Sequence, residues 1–516
     1  MSPSVLRWLC LVAVIWLQSI NGTNLSFPAY SSQLKQSLSI SQIKLNYLAF
    51  ASDAGKLLGF ISGIAAVPLP LRLVLIAGGS LGFAGYGLQY LIIVKKMFSP
   101  SFPAIWVLSF LAGNSICWIN TTCYTVAINN FPANRQVAVG ITASYQGLSG
   151  KIYTDIVNAF FSASPSDSTA GYLVLNALVP LIVCGVTAFV IADAELGASS
   201  DAKIGFVVMF IVTTATGVYA VVTSLVPAPE ILVLTGIVLL LLAPLAIPLG
   251  FQLEEIMFTR KNHQKVHDEE FSPRSVRVRV GEETVKGEGE EAFCNAVGVK
   301  EEIKWTELWK KIDFWIYFSV YLCGPTVGLV FLNNLGQIAE SRGCTATASL
   351  VALSSSSGFF GRLLPSLLEY FFSRSKHMPS SPASMAVSLA FMASAFFVLL
   401  VESDMALYAS TAAIGVSTGV VTSLAVTTTA ELFGTKNFGV NHNIVVANIP
   451  LGSFAFGWLA ANVYREGASG GSDGECEGMH CFETTLFVWA LLCSLAAVLA
   501  AVLHGRNRRF YSLDKS

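Results

Sequence analysis

The chain has 516 residues, of which 53% are hydrophobic and 12% charged, with 31 Lys and Arg against 32 Asp and Glu. A soluble domain carries about a quarter charged residues, and a net charge of −1 offers no basic surface for nucleic acid. The apolar residues fall in repeated runs of roughly 20, the length an α-helix needs to cross about 30 Å of hydrocarbon. This excludes an ordinary soluble fold and describes a polytopic helical membrane protein.

The N-terminal "MSPSVLRWLCLVAVIWLQSING" has one basic residue, Arg7, before an apolar run, which is also the outline of a signal peptide. No A-x-A-like site follows, and the run continues through "TNLSFPAYSS", so it reads as the first span. Spans are predicted at 7–31, 42–67, 72–94, 102–130, 135–161 and 171–193, then a further pair at 203–225 and 230–252. A segment of mixed charge, 253–311, is expected to form a mobile cytosolic loop. In it, Ser272 before Pro273 is a weak phosphosite pattern. Six more spans follow at 314–338, 345–372, 380–401, 404–432, 438–462 and 482–504, and then a basic tail. The expected fold is all-α, with about fourteen transmembrane helices in a six, two, six arrangement. The units are 1–193, 203–252, 253–311, 312–504 and 505–516.

By the positive-inside rule, "SRSKHMP" (373–379) and the tail "GRNRRFYSLDKS" lie in the cytosol, with both termini and the charged linker. "VESD" (401–404) and "REGASGGSDGECEGMHC" (465–481) then lie outside, and Lys95 and Lys96 are exceptions to the rule. Cys476 and Cys481 fall in that outer loop, where a disulfide is permitted. The bilayer is expected to be the plasma membrane or a vacuole-type endomembrane.

The two six-span parts share short motifs at matching positions. Gly55-Lys56-Leu57-Leu58 in the second span corresponds to Gly361-Arg362-Leu363-Leu364 in the second span of the later part. "NNFPANRQVAVG" (129–140) and "AELFGTKNFGVN" (430–441) both occupy the turn after a fourth span. Two six-helix halves related by an axis along the membrane normal, with solute held between them, are the major facilitator pattern.

The stretches "LNYLAFASDAGKLLGF", "GNSICWINTTCY", "RQVAVGITASYQGLSGKIYT", "VGLVFLNNLGQIAESRG" and "TAELFGTKNFGVNHNIVVANIPLGS" carry a specific resemblance. The chain resembles the plant nodulin-like, Nuclear Fusion Defective 4-like family of the major facilitator superfamily, over nearly its whole length outside the linker. The resemblance implies a major facilitator-type fold and a transporter, distantly similar to oxalate/formate and monocarboxylate carriers. The superfamily signature G-x-x-x-D-R-x-G-R is degenerate here: the first half keeps Gly59 or Gly63 and Arg72, the second Gly361, Arg362, Glu369 and Arg374.

A charge at mid-bilayer costs about 2.5–3.5 kcal/mol on the insertion scale and so faces a cavity or a partner. Lys151 and Asp155, at i and i+4, share one helix face. They form either a structural ion pair or, as we prefer on sequence, a cavity-lining pair in which Lys151 meets an anionic substrate and Asp155 titrates. Asp53 with Lys56, and Arg362 and Glu369 in the second half, are gating or charge-pair candidates. Arg362 has no adjacent acid and needs an anion from another helix, a lipid or the substrate. Gln18, Asn21, Asn24, Asn114, Asn120, Tyr124, Asn333 and Asn334 are further cavity candidates, since polar side chains facing lipid would be costly. Interhelical hydrogen bonding accounts for the stripe through Asn114, Asn120 and Tyr124 about equally well. Arg135 and Lys436 read as snorkelling anchors, and His442 as a cytosolic-edge residue.

There is no Walker A motif, H-E-x-x-H or G-x-S-x-G, so no enzyme, metal or cofactor is expected. The sequence describes a secondary transporter of a small polar, anionic or zwitterionic solute, embedded in lipid, with protons as candidate coupling ion. A transport-inactive receptor or scaffold on the same fold is the alternative.

Overall fold

A computed structural model describes residues 3–40, 42–95, 101–161, 164–191, 202–226, 228–268, 299–344, 347–372, 379–468 and 476–513. Among these residues there are helices, turns and short connections but no strand. Ser272, Lys96, Arg374 and most of "SRSKHMP" lie outside the described residues.

The first half comprises α1 (Pro3–Asn21), α2 (Phe27–Leu38), α3 (Gln42–Gly55), α4 (Phe60–Ala66), α5 (Leu71–Ile93), α6 (Phe102–Asn130), α7 (Arg135–Gln146), α8 (Ser149–Phe160) and α9 (Pro165–Ala188). The additional pair is α10 (Ala202–Leu225), then α11 (Glu230–Leu242) continuing into α12 (Ala246–Asp268). After the short α13 (Trp305–Leu308), the second half comprises α14 (Ile312–Cys323), α15 (Pro325–Ser341), α16 (Thr347–Phe372), α17 (Ser381–Val398), α18 (Asp404–Phe433), α19 (Phe438–Val446), α20 (Asn448–Ala468) and α21 (Glu483–Arg506). The tail adds α22 (Arg508–Leu513).

Among the described residues, twelve stretches are long and apolar enough to cross a membrane by length and composition. The expected count of fourteen rests on two more passes, α7–α8 and α16, which are helical but lie outside those twelve. Both carry charge: Lys151 and Asp155 in one, Arg362 and Glu369 in the other.

Four passes are interrupted at matching places. The first pass breaks at Gly22 and a 3-10 turn, Thr23–Ser26, and the fifth breaks at Gly147-Leu148. In the second half the breaks fall at Gly324, before Pro325, and at Ala447. A broken helix frees backbone groups that must be satisfied inside the protein. Tyr153 Oη donates to Ile20 O, at the end of α1, at 2.9 Å, and the Asn21 side chain beside the break donates to Ile116 O within the unbroken α6 at 3.2 Å. The paired breaks also touch. A Cβ on Gly22 would collide with Ser149 Oγ. In the other half, Thr326 Oγ1 donates to Asn448 Oδ1 at 2.9 Å.

The motif shared by the two second passes has a packing reason. A side chain on Gly55 would strike Phe110 O of α6, and one on Gly361 would strike Val416 O of α18. Each glycine lets the second pass lie backbone to backbone against the fourth, and the next residue is the cation, Lys56 or Arg362.

The charged linker departs from expectation at both ends. The helix runs on to Asp268, and Val299, Ile303 and Leu308 are buried. Lys300 N donates to Glu431 O at 2.7 Å and Ile303 N to Phe433 O at 3.1 Å. Glu302 caps the turn at Gly434, accepting from Thr435 N (2.9 Å), Thr435 Oγ1 (3.2 Å) and Lys436 N (3.1 Å). Apolar side chains and a capping carboxylate inside a charged stretch hold it to the bundle. This contact defines the linker side of the molecule.

Candidate functional site

A cavity of about 120 Å³ lies between the two halves. Its wall draws on the first pass (Asn24), the second (Lys56), the fourth (Asn120, Tyr124), the fifth (Gln146), and in the second half on Tyr321, Arg362, Thr422, His442 and Asn443. Asn21 Nδ2 donates to Asn120 Oδ1 at 2.8 Å, fixing that amide at the rim of the break in the first pass.

The two cations differ. Lys56 Nζ lies 2.6 Å from Asp53 Oδ1, and Ser453 Oγ of the other half donates to Asp53 Oδ2 at 3.1 Å. Arg362 borders the cavity where the fifth pass breaks, so close that a Cβ on Gly147 would come to 3.0 Å from its Nη1. Among the described residues no carboxylate pairs with Arg362, and its electrostatic neighbours are Tyr124 and Tyr321. His442 stacks on Phe438 at 5.2 Å between ring centroids and meets Tyr124 edge-on at 5.6 Å. It lines the cavity instead of standing at an edge, because α19 turns this face toward the first half.

On the linker side the halves meet closely. A side chain on Gly63 would collide with the backbone of Gly439-Val440, and one on Gly140 with Ser366 Oγ. Asn443 Nδ2 donates to Thr121 Oγ1 at 2.8 Å, and Ser62 Oγ lies 2.7 Å from the same hydroxyl. Ser366 Oγ donates to Gln136 O at 2.7 Å, and the Gln136 side chain bonds to Thr427 and Ser423. Arg135, expected to snorkel, instead lies 3.6 Å from Glu431 across the seam. On the far side the contacts between halves include Asp53–Ser453 and the rings of Phe50 and Phe454, 5.7 Å apart.

Several sequence candidates lie elsewhere. Lys151 Nζ pairs with Asp155 Oδ1 at 3.0 Å, but neither residue borders the central cavity. Their face of α8 turns to the additional helix pair, and Asp155 lines a separate cleft there. Asn114 is a structural tie, donating to Gly55 O at 2.9 Å and accepting from Trp118 Nε1 at 3.0 Å. Gln18 is fully buried beside Tyr124. Asn333 is exposed, and Asn334 Nδ2 returns to Val330 O at 2.8 Å in its own helix. Glu369 is half-buried and outside the cavity wall. Cys476 and Cys481 are joined by a disulfide.

Sequence reasoning missed Tyr321, Gln146 and Thr422. Tyr321 is hidden in the aromatic run "FWIYFSVYLC", which reads as lipid-facing. Gln146 had a usable signal, since it directly precedes the Gly147 break.

The fold is that of solved major facilitator structures. The structure resembles the proton:xylose symporter XylE (TM-score 0.57, 12% identity, 96% of this chain and 95% of that one). It also resembles FucP in its outward conformation (TM-score 0.54, 11% identity, 96% and 98%). The sequence matches the Nodulin-like family over residues 7–249 and the NFD4 C-terminal domain over 296–513. It is 37% identical to Protein NUCLEAR FUSION DEFECTIVE 4 of Arabidopsis thaliana over 98% of this chain and 89% of that protein. It is 27% identical to Probable transporter mch1 of Aspergillus fumigatus over 38% of each chain. The chain belongs to the nodulin-like, NUCLEAR FUSION DEFECTIVE 4 family.

Proposed function

We propose that this protein is a secondary carrier that moves a small anionic or zwitterionic solute, of the organic-acid kind, by alternating access. The observation that carries the reading is Arg362: a guanidinium in a membrane-buried cavity between two halves, without a carboxylate partner among the described residues. Such a cation is costly unless an anion meets it, and its planar fork suits a carboxylate bidentately. Tyr124, Tyr321, Asn120 and Gln146 supply further polar atoms around it. Lys56, neutralised by Asp53, adds little net charge, so the wall favours a monoanion or a zwitterion over a polyanion.

The seam at Gly63, Gly140, Asn443 and Gln136 supports a state closed on the linker side. Alternating access would break that seam and close the far side. His442 is the imidazole among the described cavity-lining residues and a ring that can carry a proton, which makes protons the candidate coupling ion. A cavity cation without a carboxylate partner among the described residues tells against a transport-inactive scaffold, which would gain nothing from its cost.

Uptake of labelled mono- and dicarboxylates and amino acids into proteoliposomes tests the reading. The wild type should accumulate an anion or zwitterion, and Arg362→Met should lose uptake at equal insertion. Uptake by Arg362→Met equal to wild type for every accepted solute would overturn it.

A further inference from the structure

A second cleft, of about 250 Å³, lies between α8 and the additional helix pair, on the face away from the linker. Its wall includes Asp155 and Asn158 of α8, Thr223 and Ser224 at the end of α10, and Glu230 at the start of α11. These side chains offer oxygen: two carboxylates, two hydroxyls and one amide. Oxygen-only sets suit hard cations.

The cleft is more than a group of surface acids, because Asp155 is 92% buried. Its two oxygens are treated differently. Oδ1 receives Lys151 Nζ at 3.0 Å, whereas among the described residues no donor reaches the buried Oδ2, although Asp155 lines the cleft. A buried carboxylate oxygen without a hydrogen bond is destabilising. The hydroxyls cannot do so by donation. Thr223 Oγ1 donates to Tyr219 O at 2.8 Å and Ser224 Oγ to Ala220 O at 2.8 Å, so both present lone pairs to the cleft.

The charge balance selects the ligand. Lys151 contributes +1 and Asp155 and Glu230 −1 each, leaving a local charge of −1. A monovalent cation neutralises it. A divalent ion would leave an excess positive charge beside Lys151, and an anion would face two carboxylates.

We propose that Asp155 Oδ2, Glu230, Asn158 and the hydroxyls of Thr223 and Ser224 form a binding site for a small monovalent metal cation such as Na⁺ or K⁺. The site ties the fifth pass to the additional helix pair. It does not depend on the solute assigned to the central cavity, and its test needs no transport.

The experiment uses the purified full-length protein. Its thermal unfolding is followed while NaCl, KCl or LiCl replaces N-methylglucamine chloride at constant ionic strength, with calcium chloride as a separate arm. A ligand that binds only the folded state raises the midpoint saturably, so one monovalent ion should raise it by about 2 °C or more. Radioactive sodium or rubidium binding should saturate in the same concentration range. Glu230→Gln, at an exposed position, should fold normally and weaken the response at least tenfold, and Asp155→Asn should abolish it. A midpoint indifferent to all three monovalent ions, a response to calcium alone, or an undiminished response in Glu230→Gln would each overturn the proposal.

Discussion

Arg362 and Lys151 are both cations within apolar helices, and their neighbours give them opposite expectations. Arg362 has a cavity in front of it and two tyrosines beside it. Replacing it by Lys keeps the charge but loses the planar fork. A charge-assisted hydrogen bond contributes about 1.5–3 kcal/mol, so Arg362→Lys should raise the KM for the anion roughly 10- to 100-fold, read from initial uptake rates. Lys151 already has Asp155, and their face is turned away from the cavity. Replacing a buried pair by apolar residues is often neutral. Lys151→Met with Asp155→Leu should therefore retain wild-type equilibrium exchange of the solute, measured per correctly inserted protein. Lost exchange would return the pair to the transport path. His442→Gln should keep exchange but lose accumulation driven by an imposed pH gradient, because the amide cannot carry a proton; unchanged accumulation would remove His442 from coupling.

At the scale of elements, the seam between α4 and α19 depends on the lack of a side chain at Gly63. An alanine there must displace the backbone at Val440, and backbone yields less readily than a flexible side chain. Gly63→Ala should therefore shift the protein toward opening on the linker side. A cysteine at Gln146, in the cavity wall, reports this. In the parent it should react with an impermeant thiol reagent from the far side only, and with Gly63→Ala from the linker side as well. Unaltered sidedness would show that this contact is not the closure. The clamp at the linker's end behaves as a cap. Glu302→Gln loses the charge from three hydrogen bonds at Thr435 and Lys436, and should destabilise the fold by about 1–2 kcal/mol, seen as a lower unfolding midpoint.

For the whole molecule, the additional pair packs on both halves. Phe210 of α10 meets Tyr370 of α16 at 5.5 Å, and Phe251 of α12 stacks on Trp8 of α1 at 6.1 Å. Fourteen crossings would leave the linker and the tail on one face, and the structure holds them together: Lys300 Nζ lies 2.9 Å from Asp313 and 2.5 Å from Asn507. In sealed vesicles a tag within 269–298 and one at the C-terminus should be cut from the same side. Cleavage from opposite sides would break the fourteen-crossing arrangement.

The membrane class, the two-half organisation and the Lys56–Arg362 correspondence were legible from residues alone. Burying a helix in lipid requires a long apolar run, and a duplicated packing contact keeps its glycine and the cation after it. The sequence also singled out Cys476 and Cys481, which are bonded in the structure, and Asn24, Asn120 and Tyr124, which border the cavity. Which way a charged face turns was not. Lys151 and Asp155 satisfy the same i, i+4 rule whether α8 presents them to a solute or to α11, because helical periodicity defines faces but not their neighbours. The break at Gly147 sends Gln146 toward the cavity and Lys151 away from it. The packing of α8 against the additional pair then decides that Asp155 lines a separate cleft, while Arg362 borders the central cavity.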